Sequence, residues 1–243
     1  MPLPKIATPT YELVLPSSNR KIKFRPFLVK EEKILIIAME TQDSKQIANA
    51  VKNVLSHCIL TRGIKVDKLS TFDIEYLFLN VRSKSVGETI EVNVTCPDDE
   101  KTSVQVEINI DAIKVQKVRG HKDIIKLDDQ YSMKLKYPSM TEFVESNFES
   151  GNDGGEGNDI DKSLSMITSC IEMIYDNEES WDASDSSQQE LEEFIGQLNS
   201  KQFKAIEKFF ETMPKLSHKV KVTNPKTDVE SQVVLEGLAS FFT

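Results

Sequence analysis

Residues 19–40 read NRKIKFRPFLVKEEKILIIAME, and this stretch changes within a few residues from an alternating pattern to an apolar run. Within residues 21–27, Ile22 and Phe24 fall on one side and the basic residues on the other. Because side chains alternate along a strand, the pattern predicts a strand with one buried and one solvated face. Pro26 cannot donate a ladder hydrogen bond, so it marks the end of the strand or a sheet edge.

Three helices are predicted after this strand. The first covers Glu31–Glu40, where the acidic residues at its start suit the positive end of the helix dipole. Asp43 or Ser44 caps the second, whose apolar residues recur at helical spacing. Ser70 followed by Asp73 resembles a capping box at the start of the third.

Alternating segments joined by turn residues predict four β-hairpins. Two of them share the pattern V-x-V-T-x-P at the turn, in VNVTCP and VKVTNP. This similarity predicts either a repeated ribbon or two hairpins with similar turn chemistry. The predicted strand pairs are Tyr11–Leu15 with Lys21–Phe27, Thr89–Thr95 with Ser103–Ile110, Ile124–Leu127 with Tyr131–Tyr137, and Lys219–Val222 with Gln232–Leu235.

The pattern changes after a glycine-rich acidic stretch. Residues 149–159, ESGNDGGEGND, hold four of the nine glycines and no apolar side chain, which predicts a flexible loop. Helices are then predicted over Ile160–Tyr175 and Gln188–Leu198. Another begins at a Ser200 cap and ends before Pro214.

These elements predict an α+β protein. We expect a β-hairpin-rich N-terminal half with three helices and a helical C-terminal half closed by a C-terminal β-hairpin. The expected organisation is a mixed region at residues 1–148, the acidic loop at 149–159 and a helical region with its hairpin at 160–243, or one continuous domain.

Composition limits the class of protein. The chain is 39% hydrophobic and 28% charged, as is typical of a folded domain with a core, and no apolar run approaches the roughly 20 residues that span a bilayer. Residues 145–193 carry 15 of the 39 acids and a single base, Lys162. Cys58, Cys96 and Cys170 are odd in number and far apart, which favours a reducing compartment over a disulfide framework.

No motif points to catalysis, a cofactor or a metal. The sequence has no G-x-x-x-x-G-K loop, G-x-G-x-x-G, H-E-x-x-H or G-x-S-x-G, so we expect neither an enzyme nor a bound cofactor. Cys96 lies at a hairpin turn where zinc ribbons place C-x-x-C, but a structural zinc site needs about four ligands. No calcium-loop pattern is present. We therefore expect no metal site.

The basic strand is open to three interpretations. Residues 20–30 hold five bases and no acid. Lys21, Lys23 and Arg25 could form a solvated edge that discourages strand aggregation. They could also form a docking surface for an acidic protein. Nucleic-acid binding is disfavoured, because it needs aromatic side chains on the basic face and Phe24 is on the other one.

Three stretches resemble a known family. Residues 15–40, 72–88 and 191–242 are similar in order and spacing to the baseplate hub and hub-assembly proteins of T4-type contractile-tailed bacteriophages. The likeness is one of whole-chain pattern. Some relatives carry cysteine pairs at two hairpin turns, whereas this sequence has only Cys96.

The resemblance implies a non-enzymatic protein that binds other hub subunits during tail assembly, in the host cytoplasm and then in the virion tail baseplate. One alternative is a transient hub assembly chaperone that is absent from the mature virion. An alternative of another class is a nucleic-acid-binding adaptor that uses the basic strand. The candidate contact residues are Lys21, Lys23, Arg25, Phe241 and Phe242; the phenylalanines at the C-terminal tip serve either as core or as a docking anchor.

Overall fold

The structure is a computed structural model that describes residues 6–41, 43–140, 142 and 156–241. Its helices and small antiparallel sheets confirm the predicted α+β class. The chain forms two compact units: Met1–Val66, Phe72–Gln116 and Lys215–Thr243 make the first, and Asp67–Thr71 and Lys117–Pro214 make the second. The predicted boundary at residues 149–159 stays a prediction, because most of those residues lie outside the described part.

The first unit combines three helices with three small antiparallel sheets among its described residues. Strand β1 pairs with β2, β3 pairs with β4, and β10 lies between β11 and β5. These pairings confirm three of the predicted hairpins. The elements are β1 (Tyr11–Val14), β2 (Lys21–Phe24), α1 (Val29–Glu40), α2 (Ser44–Cys58), α3 (Thr71–Ser85), β3 (Thr89–Thr95), β4 (Ser103–Asn109), β5 (Lys114–Gln116), β10 (Lys215–Thr223) and β11 (Glu230–Glu236).

Local sequence explains how these helices are placed. Asp43 caps α2 as predicted, since its side chain accepts hydrogen bonds from the backbone N–H groups of Lys45 and Gln46. Helix α3 is buried on most sides. The buried Asp73 accepts hydrogen bonds from the backbone N–H and the hydroxyl of Ser17, so α3 holds the turn between β1 and β2.

The two hairpins with the shared V-x-V-T-x-P pattern have matching turns. Glu100 and Asp228 both adopt positive φ, at 53° and 57°, four residues after Cys96 and Asn224. Each donates its backbone N–H to the carbonyl of that earlier residue, at 3.0 and 2.9 Å. The side chain of Asp98 in one turn accepts hydrogen bonds from the other turn, so the repeated turns are joined.

The second unit contains a four-stranded antiparallel sheet, β6-β7-β8-β9, and three helices within its described residues. Met133, Ile206 and Phe209 are at most 2% exposed and lie at the centre of its core. The pairing of β6 with β7 confirms the remaining predicted hairpin. The elements are β6 (Ile124–Lys126), β7 (Ser132–Leu135), α4 (Glu156–Ser169), β8 (Ile171–Tyr175), β9 (Ser180–Asp182), α5 (Gln188–Gly196) and α6 (Ser200–Thr212).

The prediction of one helix over Ile160–Tyr175 is wrong. The helix ends at Ser169, and the following residues form β8, which pairs with β7 on one side and β9 on the other. The hydroxyls of Thr168 and Ser169 donate to backbone carbonyls of the last turn. Such local bonds compete with helix continuation, and pairing on both edges then favours the strand.

Two smaller predictions in this region also need correction. Residues 156–159, predicted as part of the acidic loop, form the first turn of α4. The remainder of the predicted loop, residues 149–155, lies outside the described residues. The cap of α6 is Asn199, whose side chain accepts from two backbone N–H groups, and Ser200 is the first helical residue.

Candidate protein-binding surface

Two of the predicted contact residues, Lys21 and Lys23, are exposed on β2. The carboxylate of Glu12 on the neighbouring strand lies between them, in contact with the ammonium of Lys21 and 3.5 Å from that of Lys23. The hydrogen bond from Lys21 lowers the pKa of Glu12. The basic face therefore includes a carboxylate that reduces its net charge.

Arg25 differs from these two lysines, because its side chain is only 16% exposed. Its Nη2 donates to Glu31 Oε1 at 2.7 Å and its Nη1 to Oε2 at 2.9 Å. Glu31 is 3% exposed and also accepts the backbone N–H of Leu28 at 2.7 Å, at the start of α1. The hydrogen bond from Arg25 lowers the pKa of Glu31 to about 2. Arg25 therefore fixes the first turn of α1 to the end of β2.

Of the two C-terminal phenylalanines, only Phe241 lies within the described residues. Phe241 is 2% exposed and ends a short 3-10 helix, Leu238–Phe241, so it is part of the core. Phe242 lies outside the described residues. Of the five candidate contact residues, Lys21 and Lys23 lie together at the surface, whereas Arg25 is largely buried and Phe241 is buried.

Helix α1 buries one narrow side. Glu31, Leu35 and Ala38 are the buried residues of this helix, and they recur at the spacing of one helical face. This side faces the protein, where α1 packs along α2. An amphipathic helix usually has charged residues opposite its buried side.

The opposite side of α1 carries exposed large apolar side chains, with the charged Lys33 between them. Val29 is 80% exposed, Ile36 51% and Ile37 53%. Ile36 and Ile37 follow Val29 by seven and eight residues, which is two helical turns, so the three lie along the same side of the helix, and we call them the α1 outer face. An exposed group of large apolar side chains is typical of a surface that binds another protein.

The sequence contains the signal for this face, in a form that hydrophobic periodicity does not detect. Residues 34–37 read ILII, and successive residues of a helix are about 100° apart. Four consecutive apolar residues therefore spread over most of the helix circumference and cannot all face one core. Part of this run has to be exposed or covered by another molecule.

Comparison with known proteins indicates the kind of assembly in which such a covering molecule would be found. A family model described as T4 bacteriophage base plate protein matches residues 8–243. The chain belongs to this family. A search of curated proteins and a search of solved structures each gave no match. The family match confirms the resemblance to T4-type baseplate proteins and gives this baseplate protein a structural role associated with the phage tail baseplate, while membership of the hub stays a prediction.

Among the described residues of this baseplate protein, no group of three or more histidine, cysteine or acidic residues is arranged to hold a metal ion. Cys58, Cys96 and Cys170 are free and buried, and burial raises the pKa of Cys58 to about 11 and of Cys170 to about 12. These thiols stay protonated and unreactive at neutral pH.

Within the ranges that the structure describes, no helix of the baseplate protein has both the length and the apolar content to cross a bilayer.

Proposed function

We propose that this baseplate protein is a non-enzymatic component of the baseplate hub that binds other hub subunits during tail assembly. The observation that supports the proposal is the α1 outer face, an exposed apolar surface in a protein of a structural family. The proposal assigns this face to contact with a neighbouring subunit.

The physical basis is the burial of apolar surface. Fully burying a Val or Ile side chain contributes about 1.5–3 kcal/mol relative to leaving it exposed. Exposed charged residues accompany the α1 outer face: Lys33 lies within one turn of all three of its side chains, and Lys30 and Glu40 lie near its ends. Interfaces combine apolar and charged side chains, and a lysine can lay its alkyl chain along apolar surface while its ammonium stays in water.

The remaining candidate contact residues have unequal roles in this proposal. Lys21 and Lys23 are exposed and can orient an acidic partner, which affects mainly the rate of association. Arg25 and Phe241 hold the fold together and are left out of the proposed surface. Contact through Phe242 stays a prediction.

A hub assembly chaperone would use the same surface and leave before the particle matures, so retention in the virion separates these two roles. The nucleic-acid adaptor gains no support from the geometry. Glu12 lies between the two exposed lysines and would repel phosphate.

The test is affinity capture of the tagged full-length chain from phage-infected cells, with captured baseplate proteins quantified by mass spectrometry. We expect Ile36→Gln with Ile37→Gln to lose most of the captured baseplate proteins. The matched control is Val86→Gln with Val118→Gln, which alters two valines that are 57% and 48% exposed elsewhere. Circular dichroism establishes that both variants are folded. Equal capture by both variants would contradict the assignment of the α1 outer face.

A further inference from the structure

The second unit contains an apolar groove between α4 and α6, with a volume of about 650 Å³. Leu164 and Met166 line it from α4, and Phe203 and Phe210 line it from α6. These four side chains are only partly buried, although Leu164, Phe203 and Phe210 also pack against the core of the unit. The groove is therefore an open apolar surface on a well-packed base.

Two carboxylates border this groove. Glu207 and Glu211 lie one turn apart on α6, are both exposed, and belong to the groove lining. No lysine or arginine is among the described residues that line it. Helix α4 itself carries three acids, Glu156, Asp159 and Asp161, and one base, Lys162. The groove thus combines an apolar base with a negative border.

We propose that this groove binds an amphipathic basic segment of a partner protein, with its apolar side chains against the groove and its lysines or arginines beside Glu207 and Glu211. Helix-in-groove recognition uses this combination of apolar anchors and flanking charge. A small-molecule ligand fits less well, because such sites have convergent polar groups inside the pocket, and here the carboxylates are exposed at the border. This inference concerns a different surface from the α1 outer face and does not depend on it.

The experiment measures binding of the purified full-length chain to two synthetic helical peptides by fluorescence anisotropy. One peptide combines leucine with lysine and the other combines leucine with glutamate in the same pattern. We expect the Leu/Lys peptide to bind at least about ten-fold more tightly, a difference of about 1.4 kcal/mol. We expect Glu207→Lys with Glu211→Lys to reverse this preference.

A matched control separates the groove from the general acidity of the chain. Glu178→Lys with Glu179→Lys makes the same change in net charge at an exposed turn between β8 and β9, away from the groove lining. We expect it to retain the preference for the Leu/Lys peptide. Equal loss in both variants would overturn the proposal, because the attraction would then be non-specific. Met166→Gln should weaken binding while the unfolding midpoint is retained; unchanged binding would also count against the groove.

Two further results would show that the groove binds a second copy of the chain or does not bind the basic peptide. Self-association of the chain that is abolished by the Glu207→Lys and Glu211→Lys variant would assign the groove to a second copy and overturn the proposal. Absence of Leu/Lys binding to the full-length chain would overturn it as well. None of these results bears on capture through the α1 outer face, so the two proposals fail separately.

Discussion

The guanidinium of Arg25 forms two hydrogen bonds with the carboxylate of Glu31, at 2.7 and 2.9 Å. This pair joins the end of β2 to the first turn of α1. Because Glu31 shares its side of the helix with Leu35, the pair fixes which side of α1 faces the protein. The α1 outer face is the consequence, since its side chains are then directed to solvent.

The first prediction concerns the stability that this pair provides. Glu31→Gln leaves the nearly buried guanidinium of Arg25 without its counter-ion, and breaking a buried pair in this way costs about 3–5 kcal/mol. We expect a loss near the lower limit, about 3 kcal/mol, because Arg25 retains some exposure. Urea unfolding measures it. Lys21→Met, which alters an exposed pair, is the control and should leave the midpoint nearly unchanged.

The second prediction is the pH dependence of the same pair. The pKa of Glu31 is about 2 in the folded chain, against an ordinary value of 4.5. A lowered pKa in the folded state means that its contribution is fully present above about pH 4.5 and is lost as the pH falls toward 2. The difference in unfolding free energy between the wild type and Glu31→Gln should therefore shrink over this interval. A difference that stays constant from pH 6 to about pH 2.5 would argue against the ion pair.

The third prediction tests the orientation of α1. Leu35 is buried, so Leu35→Ala should cost about 2–5 kcal/mol of unfolding free energy. Its neighbour Ile36 is half exposed, and Ile36→Ala should stay within about 0.5 kcal/mol of the wild type. Thermal and urea unfolding of the two variants give the comparison. Similar losses at both positions would mean that the outer face is packed against the protein.

The fourth prediction concerns the contact between the repeated turns. The fully buried Asn224 donates its side-chain amide to both oxygens of Asp98, at 3.1 and 2.9 Å. Hydrogen bonds from Thr227 and Asn224 lower the pKa of Asp98. Asn224→Ala removes a buried hydrogen-bonded group and should cost about 1–3 kcal/mol in urea unfolding. Lys101→Ala, which alters an exposed side chain in the other turn, should leave the free energy of unfolding unchanged. An equal loss of unfolding free energy in this variant would mean that any substitution in these turns is destabilising.

Local patterns predicted most of the first unit. Alternation and turn residues are sufficient for hairpins such as β3–β4, because both strands and their turn lie within about twenty residues. The cap at Asp43 follows from a local hydrogen bond. Strand β8 was missed because its apolar residues fit a helix equally well, and its conformation depends on β7, which is distant in sequence.

The candidate surface was harder to predict, for a physical reason. Lys21 and Lys23 were predicted as exposed from alternation alone, and they are. Arg25 follows the same alternation, but its partner Glu31 lies on the next element, so only the tertiary structure shows that the pair is nearly buried. Predicting the α1 outer face requires knowing how exposed each side chain is, and hydrophobic periodicity does not give this.

Quantitative mass spectrometry of purified mature phage particles, alongside lysate of the infected cells, decides whether the chain is a component of the baseplate hub. We expect the chain to be present in the particle at a fixed copy number relative to other baseplate proteins. Abundance in the lysate together with absence from the particle would contradict it and would identify an assembly factor that leaves before the tail is complete.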